Sequence, residues 1–307
     1  MARLVLSLVL LATLLLPAVL VQAFAQQPTF RAETDLVNFG VTVTAKGGLF
    51  VTDLTADDFD VLEDGKKQTI KYFTRGDEAA SDVEMHVGLL FDTSGSMGED
   101  IQLARSAAIK FLNTLSDAKD ITLVDFDTEV RVSKYGQQDF PRLVERIRGR
   151  KPDGFTAMYD ALGLYLHGAE VDDGRKILVL FTDGGDTRST LSFTDVLTLI
   201  RASDATIYAV GFMENQPGSV RSQQRLRLTQ LANESGGEAF FPVSMKQIDT
   251  AYDKIVAQIR AQYSLGYLST GTALDGRWRK VEIKVRRPDL KDVRIQTRKG
   301  YFAPFRP

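Results

Sequence analysis

Three oxygen-bearing side chains stand at alternate positions in the segment LLFDTSGSMGED, residues 89–100. They are Asp92, Ser94 and Ser96, and they follow an apolar run that is typical of a buried strand. A curved loop after that strand can turn the three oxygens toward one point, since Gly95 permits a sharp turn. Carboxylate and hydroxyl oxygens are hard ligands, which suit Mg²⁺ or Mn²⁺ and not zinc. The segment therefore predicts one side of a divalent-cation site.

A single carboxylate is too little for a tight divalent site, so we expect further ligands from other loops. The segment LVLFTDGGD (178–186) ends a second apolar run at Asp183, and the glycines after it let the backbone turn closely. The segment DGFTAMYDAL (153–162) places Thr156 in a glycine-containing loop just before a predicted helix. The hydroxyl ligands are neutral and leave the metal electrophilic. An incoming carboxylate can then replace water at an octahedral position.

Each of these signals has a more ordinary interpretation when it is taken alone. A serine or threonine just before a helix is more often an N-cap than a metal ligand. An Asp-Gly pair such as Asp183-Gly184 is usually just a turn. Three signals in order, each at the end of a predicted strand or the start of a predicted helix, favour the metal site.

The elements that position these loops alternate between strand and helix patterns. The central strands are nearly all apolar, as parallel strands covered by helices on both faces must be. The runs at 121–127 and 130–135 are too close for a crossover, so we predict an antiparallel pair there. The pattern predicts an α/β fold with a doubly wound, mostly parallel sheet, in which ligands bind at the carboxyl ends of the strands. The predicted strands cover 85–92, 121–127, 130–135, 176–183, 205–212 and 238–243, and the predicted helices cover 101–115, 161–169, 193–203, 225–237 and 248–262.

Strand-rich segments flank the α/β pattern on both sides. Before it, 36–45 is rich in Val, Thr and Phe, and 58–73 contains Asp64-Gly65, a common hairpin turn. After it, strand patterns return at 263–268, 280–287 and 293–298. Neither flank is long enough for a good core alone, so we predict that both pair into one β-sandwich. The predicted domains are an N-terminal flank at 26–83, the α/β domain at 84–262 and a C-terminal flank at 263–307, with a linker at 76–82.

Residues 1–25 have the pattern of an export signal. Arg3 precedes an apolar run over Leu4–Leu16, and Ala23-Phe24-Ala25 has the form of a cleavage site. The alternative is an uncleaved membrane anchor, because the apolar stretch extended to Val21 is just long enough to span a bilayer. We predict cleavage after Ala25 and a periplasmic or extracellular protein, in contact with a membrane only if the signal stays uncleaved.

Composition narrows the chemistry that the chain can perform. Its 307 residues contain no cysteine, which excludes disulfides, thiolate metal sites and cysteine nucleophiles. The two histidines, His86 and His167, are predicted to be ordinary surface or half-buried residues. A net charge of −2 gives no indication of a nucleic-acid partner. The chain lacks a G-x-S-x-G elbow, a phosphate-binding loop and an obvious general base near the three loops, which disfavours an enzyme.

On its three loops the chain resembles the von Willebrand factor type A (VWA) domain family, as found in integrin inserted domains. DTSGS (92–96) matches the D-x-S-x-S metal-ion-dependent adhesion site (MIDAS) motif, GFTAMYDAL (154–162) the threonine loop, and FTDGGD (181–186) the aspartate loop. The flanks, including 51–73, are similar to the exported VWA-related proteins of acidobacteria. The resemblance implies a Rossmann-like VWA fold and a bound Mg²⁺ or Mn²⁺. The ligands that it implies, direct or through water, are Asp92, Ser94, Ser96, Thr156 and Asp183.

The resemblance also implies a function: a non-enzymatic adhesion or assembly module that captures a partner protein's carboxylate through the bound metal. Two alternatives stay open. One is a structural or assembly protein whose metal only fixes the loops, and the other is a hydrolase whose metal activates water. Met97, expected to be exposed beside the site, would contact the partner in a binding module and pack within the protein in a structural one.

Overall fold

Residues 36–76, 84–114, 117–271 and 274–305 are described by the computed structural model. The predicted signal segment lies outside these residues, and so does all of the predicted linker except Gly76. Within the described ranges, no helix is both long and apolar enough to cross a membrane.

The strands and helices follow the predicted order with few exceptions. The strands are β1 (Leu36–Thr44), β2 (Phe59–Glu63), β3 (Lys66–Gln68), β4 (Ile70–Arg75), β5 (Met85–Asp92), β6 (Asp120–Phe126), β7 (Val130–Gly136), β8 (Arg175–Thr182), β9 (Thr206–Gly211), β10 (Ala239–Phe240), β11 (Tyr263–Leu268), β12 (Trp278–Val285), β13 (Arg294–Gln296) and β14 (Gly300–Phe302). The helices are α1 (Ile101–Thr114), α2 (Phe140–Gly149), α3 (Met158–Gly168), α4 (Phe193–Ala202), α5 (Gly218–Glu234) and α6 (Met245–Ala261).

The central sheet has the strand order β10-β9-β8-β5-β6-β7. Neighbouring strands run parallel, except that β7 runs antiparallel to β6, as predicted. Every residue of β5 and β9 is buried, because helices cover both faces of the sheet. Apolar residues of α1, α2 and α6 pack on one face, and those of α3, α4 and α5 pack on the other. The predicted doubly wound α/β fold is confirmed.

The two flanks pair with each other and form two antiparallel sheets, in the orders β13-β1-β11-β4 and β14-β12-β2-β3. Strand β1 of the N-terminal flank pairs with β11 of the C-terminal flank, and β2 pairs with β12. The two sheets share one apolar core that includes Phe39, Val61, Tyr263 and Ile283. The predicted Asp64-Gly65 hairpin joins β2 to β3, and both residues have the positive φ angles that a tight hairpin turn requires.

Two arginines, the buried Arg298 and the half-buried Arg175, bind the carboxyl ends of helices where the sandwich meets the α/β part. Arg298 donates to the carbonyls of Ser203, after α4, and of Asn38 in β1 at 2.8 and 2.6 Å. Arg175 donates to the carbonyl of Ile259 in the last turn of α6 at 2.6 Å. A cation at a helix C-terminus is favourable because the helix dipole is negative there. Arg298 thereby links the sandwich to the end of the sheet opposite the predicted metal loops, whereas the Arg175 contact lies within the α/β part.

Sequence patterns predicted neither the short strand β14 nor helix α2. Its sequence FPRLVERIRG buries only Leu143 and Ile147, too few apolar positions for a clear helical pattern. Several boundaries also differ from the prediction, among them the starts of α3 at Met158 and of α6 at Met245, which were predicted at 161 and 248. Helix α5 begins at Gly218 and not at Arg225, and strand β10 covers 239–240 and not 238–243.

Candidate metal centre

Asp92 lies at the carboxyl end of β5 and is fully buried. Its Oδ1 accepts hydrogen bonds from the backbone N–H of Ser94 at 2.9 Å and from the Ser94 hydroxyl at 2.6 Å. Its Oδ2 accepts from the hydroxyl of Thr182, the last residue of β8, at 2.6 Å. Hydrogen bonds from the loop after β5 and from the end of β8 therefore hold the carboxylate in one orientation.

Ser94 and Ser96 line the turn that follows Asp92. Their hydroxyl oxygens lie 3.1 Å apart, and Ser94 is buried while Ser96 is exposed. The Ser94 side chain does not cap the short helical turn that begins at Gly95, so the N-cap interpretation fails for this residue. The sequence motif thus brings all three of its oxygen-bearing side chains together.

Thr156 is buried in a loop that is tied by backbone contacts to both of the other loops. The N–H of Asp153 donates to the carbonyl of Thr93, and the N–H of Gly95 donates to the carbonyl of Gly154. On the other side, Thr156 N–H donates to the Thr187 hydroxyl at 3.0 Å. The N-cap of α3 is Ala157, so Thr156 is not the capping residue either.

Asp183 follows β8 and is also buried. Its Oδ1 accepts from the N–H of Gly185 at 3.1 Å, and its Oδ2 accepts from the side-chain amide of Gln216 at 2.9 Å. Gly184 has a φ of +85°, and a Cβ there would lie 2.7 Å from the Met213 side chain. This position therefore requires glycine, both for its backbone conformation and for the close packing.

The electrostatics of this edge are unfavourable for two ionised carboxylates. Burial raises the pKa of Asp92 from 3.8 to about 7, and the negative charge of Asp183 adds to the rise. Among the described residues, neither carboxylate forms an ion pair with a lysine, arginine or histidine. Two buried carboxylates close enough to repel each other are unfavourable unless a positive charge lies between them. The donor set of carboxylates and hydroxyls fits Mg²⁺ or Mn²⁺.

Asp125, in the same sheet, is a buried aspartate whose negative charge is balanced by arginines. It lies in β6, one residue before the strand ends, and is as buried as Asp183. Arg131, Arg146 and Arg150 each place a guanidinium nitrogen 2.7–3.0 Å from its carboxylate. Within the described ranges, no lysine, arginine or histidine surrounds Asp92 in the way that these three arginines surround Asp125.

A second network joins the aspartate loop to the start of α3. Asp186 accepts from Tyr159 N–H at 2.9 Å and thereby caps the helix from a different loop. In return, the Asp160 carboxylate accepts from the N–H groups of Thr190 and Leu191 at 3.0–3.1 Å. These contacts hold the loops of Thr156 and Asp183 in fixed relation.

Sequence reasoning missed two polar contacts of the site and placed one residue wrongly. The contact of Thr182 could have been predicted from the sequence, because this residue precedes Asp183 at the end of a predicted strand. Gln216 lies in no recognisable motif. Met97 was expected to be exposed but is fully buried. The helical turn after Ser94 directs its side chain inward, where it joins the core beneath α1.

The histidines lie away from the three loops. His86 is buried at the amino end of β5, where its ring nitrogens lie 3.0 Å from Asp120 Oδ1 and 2.9 Å from the Asp173 carbonyl. It is therefore not the surface or half-buried residue that was expected. His86, Asp120 and Asp172 are close enough to share a cation, but the Lys134 ammonium already lies within 3.1 Å of both aspartates. This cluster is an ion-pair network, and we do not assign a metal to it.

Comparison with known proteins gives one family match and several similar folds. A sequence profile of the von Willebrand factor type A domain matches residues 86–254. No curated protein matches the sequence significantly.

Several solved structures are similar at low sequence identity. The minor pilin PilB of Streptococcus sanguinis is 13% identical with a TM-score of 0.49, over 73% of this chain and 78% of that one. A von Willebrand factor type A protein of Catenulispora acidiphila is 14% identical with a TM-score of 0.48, over 89% and 74%. The pilus adhesin SpaC of Lactobacillus rhamnosus GG is 9% identical with a TM-score of 0.50, over 86% of this chain and only 48% of that one. At these identities the likeness concerns the fold alone.

Proposed function

The chain belongs to the von Willebrand factor type A domain family, and we propose that it is an exported, metal-dependent binding module that captures an acidic group of a partner protein. The observation that carries this proposal is the pair of buried, uncompensated carboxylates, Asp92 and Asp183, at the carboxyl edge of the sheet. The metal is Mg²⁺ or Mn²⁺ at a MIDAS-type site. Its proposed ligands, direct or through water, are Asp92, Ser94, Ser96, Thr156 and Asp183.

The burial of the proposed ligands supports capture of an external group. Ser96 is exposed, whereas Asp92, Ser94, Thr156 and Asp183 are buried. A metal held by these residues is therefore reached from solvent on the side of Ser96. The hydroxyl ligands are neutral and leave the metal electrophilic, so a carboxylate from a partner can replace water at one of its coordination positions.

Two further observations favour binding over the alternatives. The three loops are already joined by backbone hydrogen bonds, such as Gly95 to Gly154, so a metal is not needed to hold them together. In the described part of the chain, no histidine or lysine contacts Asp92 or Asp183, which leaves a hydrolase without an evident general base. Met97 is buried, so it cannot contact a partner, and by that criterion it fits a structural protein. The contacts between the loops and the exposed Ser96 outweigh this single residue, and a purely structural metal and a hydrolase are the less favoured functions.

The remaining sequence-based assignments belong to the same proposal. We propose that the signal segment is cleaved after Ala25 and that the mature protein acts in the periplasm or outside the cell. The proposed domains are the flanks 26–83 and 263–307 and the VWA domain 84–262, in a protein of the exported acidobacterial kind.

Calorimetric titration of Mg²⁺ and Mn²⁺ into the chain from Gln26 onward tests the metal site directly. We expect saturable binding in the wild type and in Glu99→Gln, which removes an exposed carboxylate three residues after Ser96. We expect no binding in Asp92→Asn or Asp183→Asn, with folding checked by circular dichroism. Absence of binding in the wild type, with and without millimolar acetate to mimic the partner, would contradict the proposal.

A further inference from the structure

Phe155 is an exposed aromatic residue that lies directly beside a proposed metal ligand. Its side chain is 62% exposed, whereas the next residue, Thr156, is 3% exposed. Large aromatic side chains are usually buried and dominate binding energy where they become covered by a partner. The fold gains little from this ring in its present position.

The loop that presents Phe155 is rigidly held. The N–H of Phe155 donates to the Thr128 hydroxyl at 2.9 Å, and the N–H of Gly154 donates to Asp153 Oδ1 at 2.8 Å. Gly154 has a φ of +73°, and a Cβ there would lie 2.3 Å from the Thr128 hydroxyl oxygen. A fixed backbone loses little conformational entropy on binding, so contacts with this ring contribute to affinity with a small ordering cost.

The other side of the candidate site carries the carboxylates of Glu99, Asp100 and Glu214, of which Glu214 lies 3.8 Å from the Arg221 guanidinium. Phe155 is anchored to the β6–β7 turn through Thr128, whereas Glu214 follows β9, on the opposite side of β5 in the sheet order. Burial, followed by the negative charges of Asp183, Glu99 and Glu214, raises the pKa of Asp100. Asn215 donates to this carboxylate at 3.3 Å. A partner that carried a run of acidic residues would meet repulsion here.

We infer that the partner segment presents one carboxylate with an apolar side chain next to it, and that Phe155 is the surface that this apolar side chain covers. The inference rests on the proposed function, because the partner's carboxylate is taken to bind the metal. It adds that the module selects a lone acidic residue in an apolar context and disfavours an acidic tract.

Three capped hexapeptides provide the test. They share a serine–glycine sequence with one glutamate, and the residue after the glutamate is leucine, serine or a second glutamate. Binding is measured from amide shifts of the isotope-labelled protein in excess Mg²⁺, and again in EDTA. We expect the leucine peptide to bind on the order of fivefold more tightly than the serine peptide, since covering an apolar side chain contributes roughly 1 kcal/mol. We expect the peptide with two glutamates to bind no more tightly than the serine peptide.

The variant Phe155→Ser tests the role of the ring. We expect it to abolish the advantage of the leucine peptide while it leaves the affinities for Mg²⁺ and for the serine peptide unchanged. Leu226→Ser is the matched control, because Leu226 is 68% exposed on α5 and should leave the advantage intact.

The outcomes separate this inference from the proposed function. Equal affinity for the leucine and serine peptides, an advantage that survives in Phe155→Ser, or tightest binding by the peptide with two glutamates would overturn the inference alone. Absence of Mg²⁺-dependent binding by every peptide would refute the proposed function and the inference with it.

Discussion

Replacing Asp92 by asparagine should stabilise the protein when no metal is bound, although it removes a proposed ligand. The Asp92 carboxylate is fully buried and its pKa is raised to about 7. Each pH unit between the folded and unfolded pKa values corresponds to about 1.4 kcal/mol, so the ionised carboxylate lowers the free energy of unfolding by about 4 kcal/mol at about pH 8. An amide keeps hydrogen-bonding partners in Ser94 and Thr182 but loses their charge-assisted strength. We therefore expect a net gain of about 2 kcal/mol.

Urea denaturation in EDTA measures this gain in the free energy of unfolding, and we expect the gain to depend on pH. The folded pKa of Asp92 lies above the unfolded one, so its destabilising effect is absent below about pH 4 and complete above about pH 7. The difference between Asp92→Asn and the wild type should grow over that range. Excess Mg²⁺ should reverse the order, since a ligand at a hundredfold excess over its dissociation constant stabilises the wild type by about 2.7 kcal/mol and the variant by nothing.

Asp125→Asn is the matched control, because Asp125 is equally buried but is paired with three arginines. Breaking this compensated cluster should lower the free energy of unfolding by about 3 kcal/mol or more, with or without Mg²⁺. The reasoning is refuted if Asp92→Asn is less stable than the wild type in EDTA, or if Mg²⁺ stabilises both proteins equally.

Three further substitutions test the supports of the site and of the fold. Gly184→Ala should weaken Mg²⁺ binding in calorimetry by tenfold or more, because a strained backbone conformation typically costs on the order of 1–3 kcal/mol. Unchanged affinity would contradict the requirement for a positive φ at this position. Asp160→Ala should lower the free energy of unfolding by about 2 kcal/mol, because two backbone N–H groups of the aspartate loop lose their acceptor; a loss under about 0.5 kcal/mol would show that this network is dispensable. Arg298→Met should lower the melting temperature and leave Mg²⁺ affinity unchanged, since Arg298 binds at the end of the sheet remote from the metal loops; a change in affinity would reveal coupling between the sandwich and the site.

Most strands and helices could be predicted from local sequence patterns, because the apolar residues of a strand or helix repeat with the period of that element. Strands β5 and β8 read as continuous apolar runs since both of their faces are covered. Helix α2 escaped prediction because its two buried residues are too few to set a period. The pairing of the two flanks was predicted from their shortness, and the register that joins β1 to β11 came only from the structure.

The sequence by itself was enough to predict that Asp92, Asp183 and Thr156 lie at the carboxyl edge of the sheet, because each adjoins a strand or helix that periodicity identifies. The contacts of Thr182 and Gln216 with these aspartates came only from the structure. Only the tertiary structure decided which way the Met97 side chain points, because the helical turn that carries it is too short to show a period in the sequence. It also decided which buried aspartate lacks a counter-charge.

Asp92 and Asp125 both follow apolar residues in sequence, and nothing local distinguishes their charge environments. The arginines that neutralise Asp125 come from β7, from α2 and from the residue after α2. Electrostatic compensation depends on distances through space, and the folded chain brings those three cations to Asp125 and, within its described part, no cation to Asp92.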